Sequence, residues 1–445
     1  MPNQGVARSR FQLVLRGQFA RLWWAGAISS FGDWVSLFAT LALGDMIGGG
    51  TGTLVPLLGR FIPGLLFGAL GGVLADRLDR KRTMILTDVG RGALVLSLIW
   101  VQTLPQLFAI SFVLEMLSLL RQPAREAAMP TVVDQPELLN ANSLSVAAAY
   151  GSFPFGALGW SAISKLPDWL GWGESTTWVV GYTLDSLTFV LSALIVATMV
   201  VPLPAVTADR MAEGRLDWRA PLRDLTEGWR FVVGHKGVRI VIFGMAAALF
   251  GGGAIVAQGQ PFAREFLGGR NSGFAVLATA LGAGAGLGVM SSTLLSRLPL
   301  HRTVLFAMSL FTTGASMLLL AFTSTVPGAV LWSFLLGFGA GLAYVVGFTY
   351  LHERVDDAVR GRTFAALFVV VRTALLVSMT VAAIGATALN GRLPAPLNDG
   401  IRTVFAIGGL VTASSGLATL WLVREVFTPG KRPRTDETMS SEDIG

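Results

Sequence analysis

The chain has 445 residues, 53% of them hydrophobic and only 14% charged, with 53 Gly, 12 Trp and no Cys. A mean hydropathy of +0.62 with so few charges excludes a disordered chain, a disulfide scaffold and an ordinary soluble enzyme, whose charged fraction is nearer a quarter. The net charge of +7 would raise nucleic acid as a partner for a soluble protein, but its distribution along this chain assigns it to another cause.

Apolar stretches of spanning length run over 20–46, 53–75, 83–104, 106–128, 141–164, 177–201, 238–261, 271–296, 303–323, 326–351, 363–389 and 401–424. Each meets the requirement of roughly 20 residues for one bilayer crossing. Twelve spans predict an all-α membrane protein with both termini on one side. Of the 34 Lys and Arg, only Lys165, Arg264, Arg270, Arg392 and Arg402 fall on odd-numbered loops, and Arg60, Arg91 and Arg372 fall inside spans. The rest lie on the tails, the even loops and the central linker, which the positive-inside bias assigns to the cytoplasm. The basic balance is therefore an orientation signal, and no nucleic-acid partner is expected. Arg8, Arg10 and Arg16 precede an apolar run too long for a signal-peptide core, so it reads as a first span that stays attached.

The predicted organisation is a cytoplasmic tail over 1–19, a six-helix bundle over 20–201, a cytoplasmic linker over 202–237, a second six-helix bundle over 238–424 and a tail over 425–445. The last tail has a disordered composition. Within the linker, Trp218, Leu222, Leu225, Trp229 and Val232 recur at helical spacing among charges. That fits an amphipathic helix either on the inner membrane surface or packed on the cytoplasmic loops. Toward the outer end of span 6, Trp169, Trp172 and Trp178 read as interface anchors. In span 8, Gly282, Gly284, Gly286 and Gly288 predict close helix packing.

Short echoes relate the halves. Arg77-Leu78 with Arg82-Thr83 after span 2 matches Arg297-Leu298 with Arg302-Thr303 after span 8, and Phe31-Gly32 matches Phe250-Gly251. Two like bundles imply a pseudo-two-fold axis along the membrane normal and a cavity between them that opens to alternate sides.

Ionisable groups inside spans are functional candidates because burying them unpaired is costly. At about 1.5 Å per residue, Asp33 lies about 18 Å and Arg60 about 20 Å from the inner face, depths at which adjacent helices can join them. Asp33 thus reads either as a proton carrier or as a permanent partner of Arg60. Glu115 and Arg372, at about 16 and 14 Å, and Asp185 near mid-depth complete the set. Glu115 and Asp185 carry the same choice between proton carrier and structural group, and for Glu115 a role in substrate binding is also open. Asp88 and Arg91, three apart on span 3, can satisfy each other. In the second half Gln258, Trp332 and Tyr344, with Phe250, Phe338 and Phe348, offer amide and aromatic surface to a substrate. There is no Walker loop, and His235, His301 and His352 are isolated. No enzyme activity, metal or cofactor is expected.

The loop after span 2 reads Gly72-Val73-Leu74-Ala75-Asp76-Arg77-Leu78-Asp79-Arg80-Lys81-Arg82. It resembles the G-x-L-A-D-R-x-x-R-[RK] loop of the major facilitator superfamily, and the resemblance covers nearly the whole chain. More narrowly, Ser30-Phe31-Gly32-Asp33-Trp34, Arg60-Phe61-Ile62-Pro63, Pro123-Ala124-Arg125, Met129-Pro130, Ala141-Asn142-Ser143 and Arg360-Gly361-Arg362 resemble bacterial drug and siderophore exporters akin to the enterobactin exporter and macrolide efflux proteins. The resemblance implies a major facilitator fold and proton-coupled export of a hydrophobic or amphipathic small molecule by a monomer in the cytoplasmic membrane. It also implies that Gly72, Asp76, Arg77 and Arg80 form a latch with a span 4 arginine, Arg121 or Arg125, and the start of span 11. The basic cluster around Arg80 also fits a mere topology signal. The Gly-Pro pattern of antiporters is present only in altered spacing, over Gly151 to Gly159. Uptake, lipid movement, or a non-transporting scaffold or sensor are the alternatives.

Overall fold

The computed structural model describes residues 10–75, 79–166, 170, 175–200, 220–268, 271–295, 301–355 and 357–427. In hydrocarbon every backbone N–H and C=O must find a partner inside its own segment, so long apolar runs resolve as helices. The long helices are α1 (Gln18–Gly48), α2 (Leu54–Ala75), α3 (Arg80–Ser97), α4 (Leu104–Ala128), α5 (Leu138–Ile163) and α6 (Ser175–Ala197). They continue with α7 (Lys236–Phe266), α8 (Asn271–Leu295), α9 (Arg302–Ala321), α10 (Val326–Arg354), α11 (Asp357–Leu389) and α12 (Gly400–Phe427). Among the described residues, 10 helices are long and apolar enough to cross a membrane by length and composition.

Local chemistry sets several ends. The Asp79 carboxylate accepts from the Arg82 N–H at 2.9 Å and starts α3. Gln106 accepts from the Thr103 N–H at 3.2 Å and starts α4. Lys81 donates to the Met199 carbonyl and Arg21 to that of Thr198, each at 2.7 Å, so two cations serve the C-terminal end of α6.

The packing repeats. In the first half α1 packs on α5 and α6, α2 on α4, and α3 on α4 and α6. In the second, α7 packs on α11 and α12, α8 on α10, and α9 on α10 and α12. The bundles meet along α5 with α8 and along α2 with α11, pairs that exchange under the same two-fold relation. Gly284 and Gly288 of α8 press on the α10 backbone, and Gly282 faces Phe153 and Pro154 of α5, whereas Gly286 meets nothing within 4 Å.

The linker contains an amphipathic helix, Ala220–Gly234, that packs on α11 and more lightly on α7. Val232 is fully buried in the cluster holding Val238, Val241 and Leu367, so protein covers part of its apolar face. Trp229 remains exposed beside Phe243. Trp218 and the side chains of Leu222 and Leu225 lie outside the described residues, as do Trp169 and Trp172. Trp178 is buried against the first bundle's core rather than standing as an interface anchor. Its ring serves helix packing because α6 turns that face toward its neighbours.

Candidate functional site

The odd-loop ends of the two bundles are joined. Thr53 donates to the Ala257 carbonyl at 2.5 Å, Gln258 donates its amide to the Gly50 carbonyl at 3.0 Å, and Arg264 pairs with Asp45 at 2.5 Å. Asp45 is buried and Arg264 half exposed. The turn between α1 and α2 is tight enough that a Cβ on Gly52 would overlap the Gly44 carbonyl. That is why glycine stands there.

Below this closure lie two connected chambers. The first, of about 490 Å³, has walls of aromatic and aliphatic groups, among them Phe38 and Phe61 from the first half and Phe262, Phe274 and Phe405 from the second. Its size is that of a pocket for one drug-sized molecule. The second, of about 620 Å³, is lined by Asp33, Arg91, Arg121, Arg125, Glu126 and Asn142 and runs to the even-loop end. Trp34, Arg60, Glu115 and Arg372 line both, so the two chambers adjoin at these four side chains.

The polar chamber is organised by ion pairs within the first bundle. Arg91 of α3 donates to Asp33 of α1 at 2.6 Å, and its guanidinium lies over the Phe189 ring at 4.2 Å. Asp33 is 29% exposed and so reaches the chamber, while Arg91 is nearly enclosed. Arg121 of α4 pairs with the fully buried Asp88 of α3, and Ser192 of α6 donates to Asp88 at 2.7 Å while accepting from Arg121 at 3.1 Å. Asp185 of α6 is completely buried, accepts from Thr188 at 3.2 Å through Oδ1, and leaves Oδ2 without a hydrogen-bond partner among the described residues. Gly32 makes room for it: a Cβ there would overlap Asp185 Oδ1 and the Thr188 hydroxyl. Gly26 likewise seats the Arg125 guanidinium, whose Nη2 would stand 2.7 Å from a Cβ at that position.

These pairings differ from those expected. Asp33 joins Arg91, not Arg60, because equal depth fixes height in the membrane and says nothing of the direction a side chain faces. Asp88 and Arg91 do not pair with each other, because Arg121 of α4 takes Asp88 and Asp33 of α1 takes Arg91. Arg121 is committed to Asp88, which leaves Arg125 as the other basic group at that end of α4. Asp76 and Arg77 lie outside the described residues, as do the surroundings of Gly72, Arg360 and Arg362. Arg80 opens α3.

Of the residues proposed for the substrate surface, Gln258 is buried and spent on the odd-loop closure. Trp332 packs against the hydrophobic core, and it is its neighbour Ser333 that lines the apolar chamber. Tyr344 packs tilted against Phe348 at 4.4 Å between ring centroids and is not among the residues lining either chamber. The observed wall residues Phe262, Phe274, Met379 and Phe405 carry no local signal that separates them from packing aromatics.

The whole arrangement is that of two six-helix bodies around a central cavity closed at one end. The sequence matches the Major Facilitator Superfamily over residues 22–379. The chain belongs to that superfamily. Its apolar helices and this membership make it a multi-pass membrane protein of a transporter family rather than of an enzyme family. A Bacillus subtilis (strain 168) relative named as an uncharacterized MFS-type transporter, YfiS, is 32% identical over 140 residues, 31% of this chain and 34% of the relative. The chain therefore matches about a third of the length of that major facilitator relative. Among solved structures, a bacterial homolog of the human lysosomal transporter Spinster, inward-facing and unoccupied, superposes with a TM-score of 0.69 at 14% identity, covering 92% of this chain and 98% of that one. The nucleoside transporter NupG gives 0.66 at 14% identity over 91% and 99%. A peptide transporter POT in complex with alafosfalin gives 0.67 at 15% over 94% and 99%. At such identities the likeness shows the major facilitator fold alone.

Proposed function

We propose that this major facilitator protein is a proton-coupled exporter of a hydrophobic or amphipathic small molecule, drug-like or siderophore-like, in the cytoplasmic membrane with both termini cytoplasmic. The observation that carries the reading is the contiguity of an apolar chamber with a polar one holding Asp33 and Arg91. With the even-loop face cytoplasmic, the polar chamber opens to the cytoplasm, and substrate enters past Glu115 into the apolar chamber. Rocking of the bundles then breaks the Asp45 to Arg264, Thr53 to Ala257 and Gln258 to Gly50 contacts and closes the even-loop end at the Asp76 loop.

Asp33 is the carboxylate placed to carry the proton. It touches the chamber, so water reaches it, and its charge is balanced by a single guanidinium. Protonating Asp33 releases Arg91, which has Asp88 and Asp185 within electrostatic reach. The carboxylate charge thus decides how α1 is held to α3. Asp185 stands behind this pair, completely buried and outside the lining of the two chambers, which supports a positioning role for it.

The test uses the full chain in proteoliposomes with an imposed pH gradient and a panel of amphipathic substrates. Asp33→Asn is expected to abolish gradient-driven accumulation while substrate counterflow, which needs no proton, continues. Undiminished gradient-driven transport by that variant removes the mechanism. Accumulation in the direction of proton flow identifies an uptake system, and binding without flux identifies a scaffold or sensor.

A further inference from the structure

We infer that the apolar chamber is built for an organic anion: one compact molecule with an apolar body and a carboxylate, phosphate or sulfonate held between Arg60 and Arg372. The inference rests on the transport reading above and names the ligand class of the same chamber.

Charge balance comes first. Among the described residues, Arg60, Glu115 and Arg372 are the ionisable groups lining the apolar chamber. Two guanidiniums face one carboxylate, and the remaining walls are almost all apolar. Charges withdrawn from water are costly unless an opposite charge answers them. Glu115 answers one, and a ligand acid answers the other. A lipophilic cation in the same place meets two like charges against one opposite.

Geometry brings the two arginines to one wall. Arg60 and Gly64 stand four residues apart on α2 and share a helix face. Arg372 projects from α11 of the other bundle, and its Nη1 stands 3.3 Å from where a Cβ on Gly64 would be. The Arg372 guanidinium therefore ends about one helical turn from Arg60, in the space that Gly64 leaves open. Arg91 and Arg121 are tied to Asp33 and Asp88. Arg60 and Arg372, by contrast, form no ion pair within 4 Å among the described residues. One arginine comes from each bundle, so an acid group bound there bridges the two bodies that rock against each other. The chamber, at about 490 Å³, admits a single drug-sized body and excludes a two-chain lipid.

The test is equilibrium binding to the full chain in phosphatidylcholine nanodiscs, read as fluorescence above that of empty nanodiscs. The probes are anilinonaphthalene sulfonate and phenylnaphthylamine, which share an aromatic body and differ by the acid group. The sulfonate is expected to bind about tenfold or more tightly than the neutral probe, a gap equivalent to one bidentate ionic contact. Arg60→Gln and Arg372→Gln are each expected to erase that preference by weakening the sulfonate far more than phenylnaphthylamine, and Arg372→Lys to keep part of it. Glu115→Gln, which removes the carboxylate that offsets one of the two guanidiniums, is expected to strengthen sulfonate binding. Equal affinity for the two probes overturns the inference, as does a preference that survives both glutamine variants. Saturable phenylnaphthylamine binding with a monodisperse elution profile reports that a variant is folded. The assay uses no proton gradient. A parent protein without the preference but with gradient-driven flux sinks this inference alone, and a parent with the preference but without gradient-driven flux sinks only the transport mechanism.

Discussion

In the first bundle Asp33, Asp88, Arg91 and Arg121 join α1 to α3 and α3 to α4 through ion pairs. The second bundle draws its helices together by glycines set against bare backbone, beside the exposed pair of Arg302 with Glu353. A Cβ on Gly337 of α10 would overlap the Leu281 carbonyl, and one on Gly284 of α8 the Phe334 carbonyl. Gly314 of α9 and Gly409 of α12 press on each other's helix in the same way. Among the described residues Arg372 is the mid-depth charge of the second half, and it faces the other bundle. Lipid tails give helices no hydrophobic reason to associate, which leaves close packing of small residues and polar contacts as the two adhesives. Both halves pack glycine on backbone, as Gly59 of α2 does on α4, and the first adds buried ion pairs. The pseudo-symmetry specifies which helices touch and leaves open what stands at the contact. A body held by glycine packing has one arrangement, whereas a body held by ion pairs changes its internal contacts when a proton arrives.

The largest effect belongs to the glycine-packed half. Gly337→Leu is expected to cost about 3 kcal/mol or more through overpacking against backbone that has no room to yield. It should leave no monodisperse protein in size-exclusion chromatography. Gly90→Ala in the first half meets only the Leu117 side chain, at 3.1 Å, and should elute as the parent does. A folded Gly337→Leu variant would break the comparison, because the second bundle would then have the play attributed to the first.

Next comes the buried Asp88 to Arg121 pair. Removing one partner strands a charge, so Asp88→Asn is expected to destabilise by about 3–5 kcal/mol, seen as a lowered thermal midpoint in detergent. The double variant Asp88→Leu with Arg121→Met should recover most of that loss, since it leaves neither charge behind. Asp33→Asn occupies the next rank. Its chamber exposure spares the fold, and the loss should appear in proton-driven flux.

How much of this was legible in the sequence follows from the period of each signal. The spans, the repeat and the orientation rest on summed hydropathy and loop charge, which tolerate errors of a few residues, and the helices fall where those sums place them. The Asp79 to Arg82 stretch announces the start of α3 through a local cap. Ion pairing is not local. Asp33 chooses Arg91 over Arg60 because of the rotation of α3 about its axis, a quantity that hydropathy does not carry. Gln258 looked like a cavity amide because polarity in a span is visible in sequence, whereas its donation to Gly50 across the bundle interface depends on the closed odd-loop end. The wall residues Phe262 and Phe274 are the converse case, since aromatic residues facing a cavity and those facing a core have the same composition.

The smallest effect sharpens the comparison at the point where the two bodies meet. Among the described residues, Asp45 with Arg264 is the ion pair that joins one bundle to the other. Arg264 is 51% exposed, so solvent screening reduces its contribution to roughly 1 kcal/mol or less. The Thr53 and Gln258 hydrogen bonds at the same end remain when it is lost. Arg264→Gln is therefore expected to shift the balance between the odd-loop-closed and odd-loop-open states by about fivefold at most. The chain has no cysteine, so spin labels at Met46→Cys and Glu265→Cys, both exposed at that end, report the gap without background. The distance distribution should gain a longer component in the Arg264→Gln protein and contract again when a substrate acid is added. A distribution that does not change means that the Thr53 and Gln258 hydrogen bonds hold the closure without the ion pair, and the joint between the bundles would then resemble the glycine-packed second bundle instead of the ion-paired first.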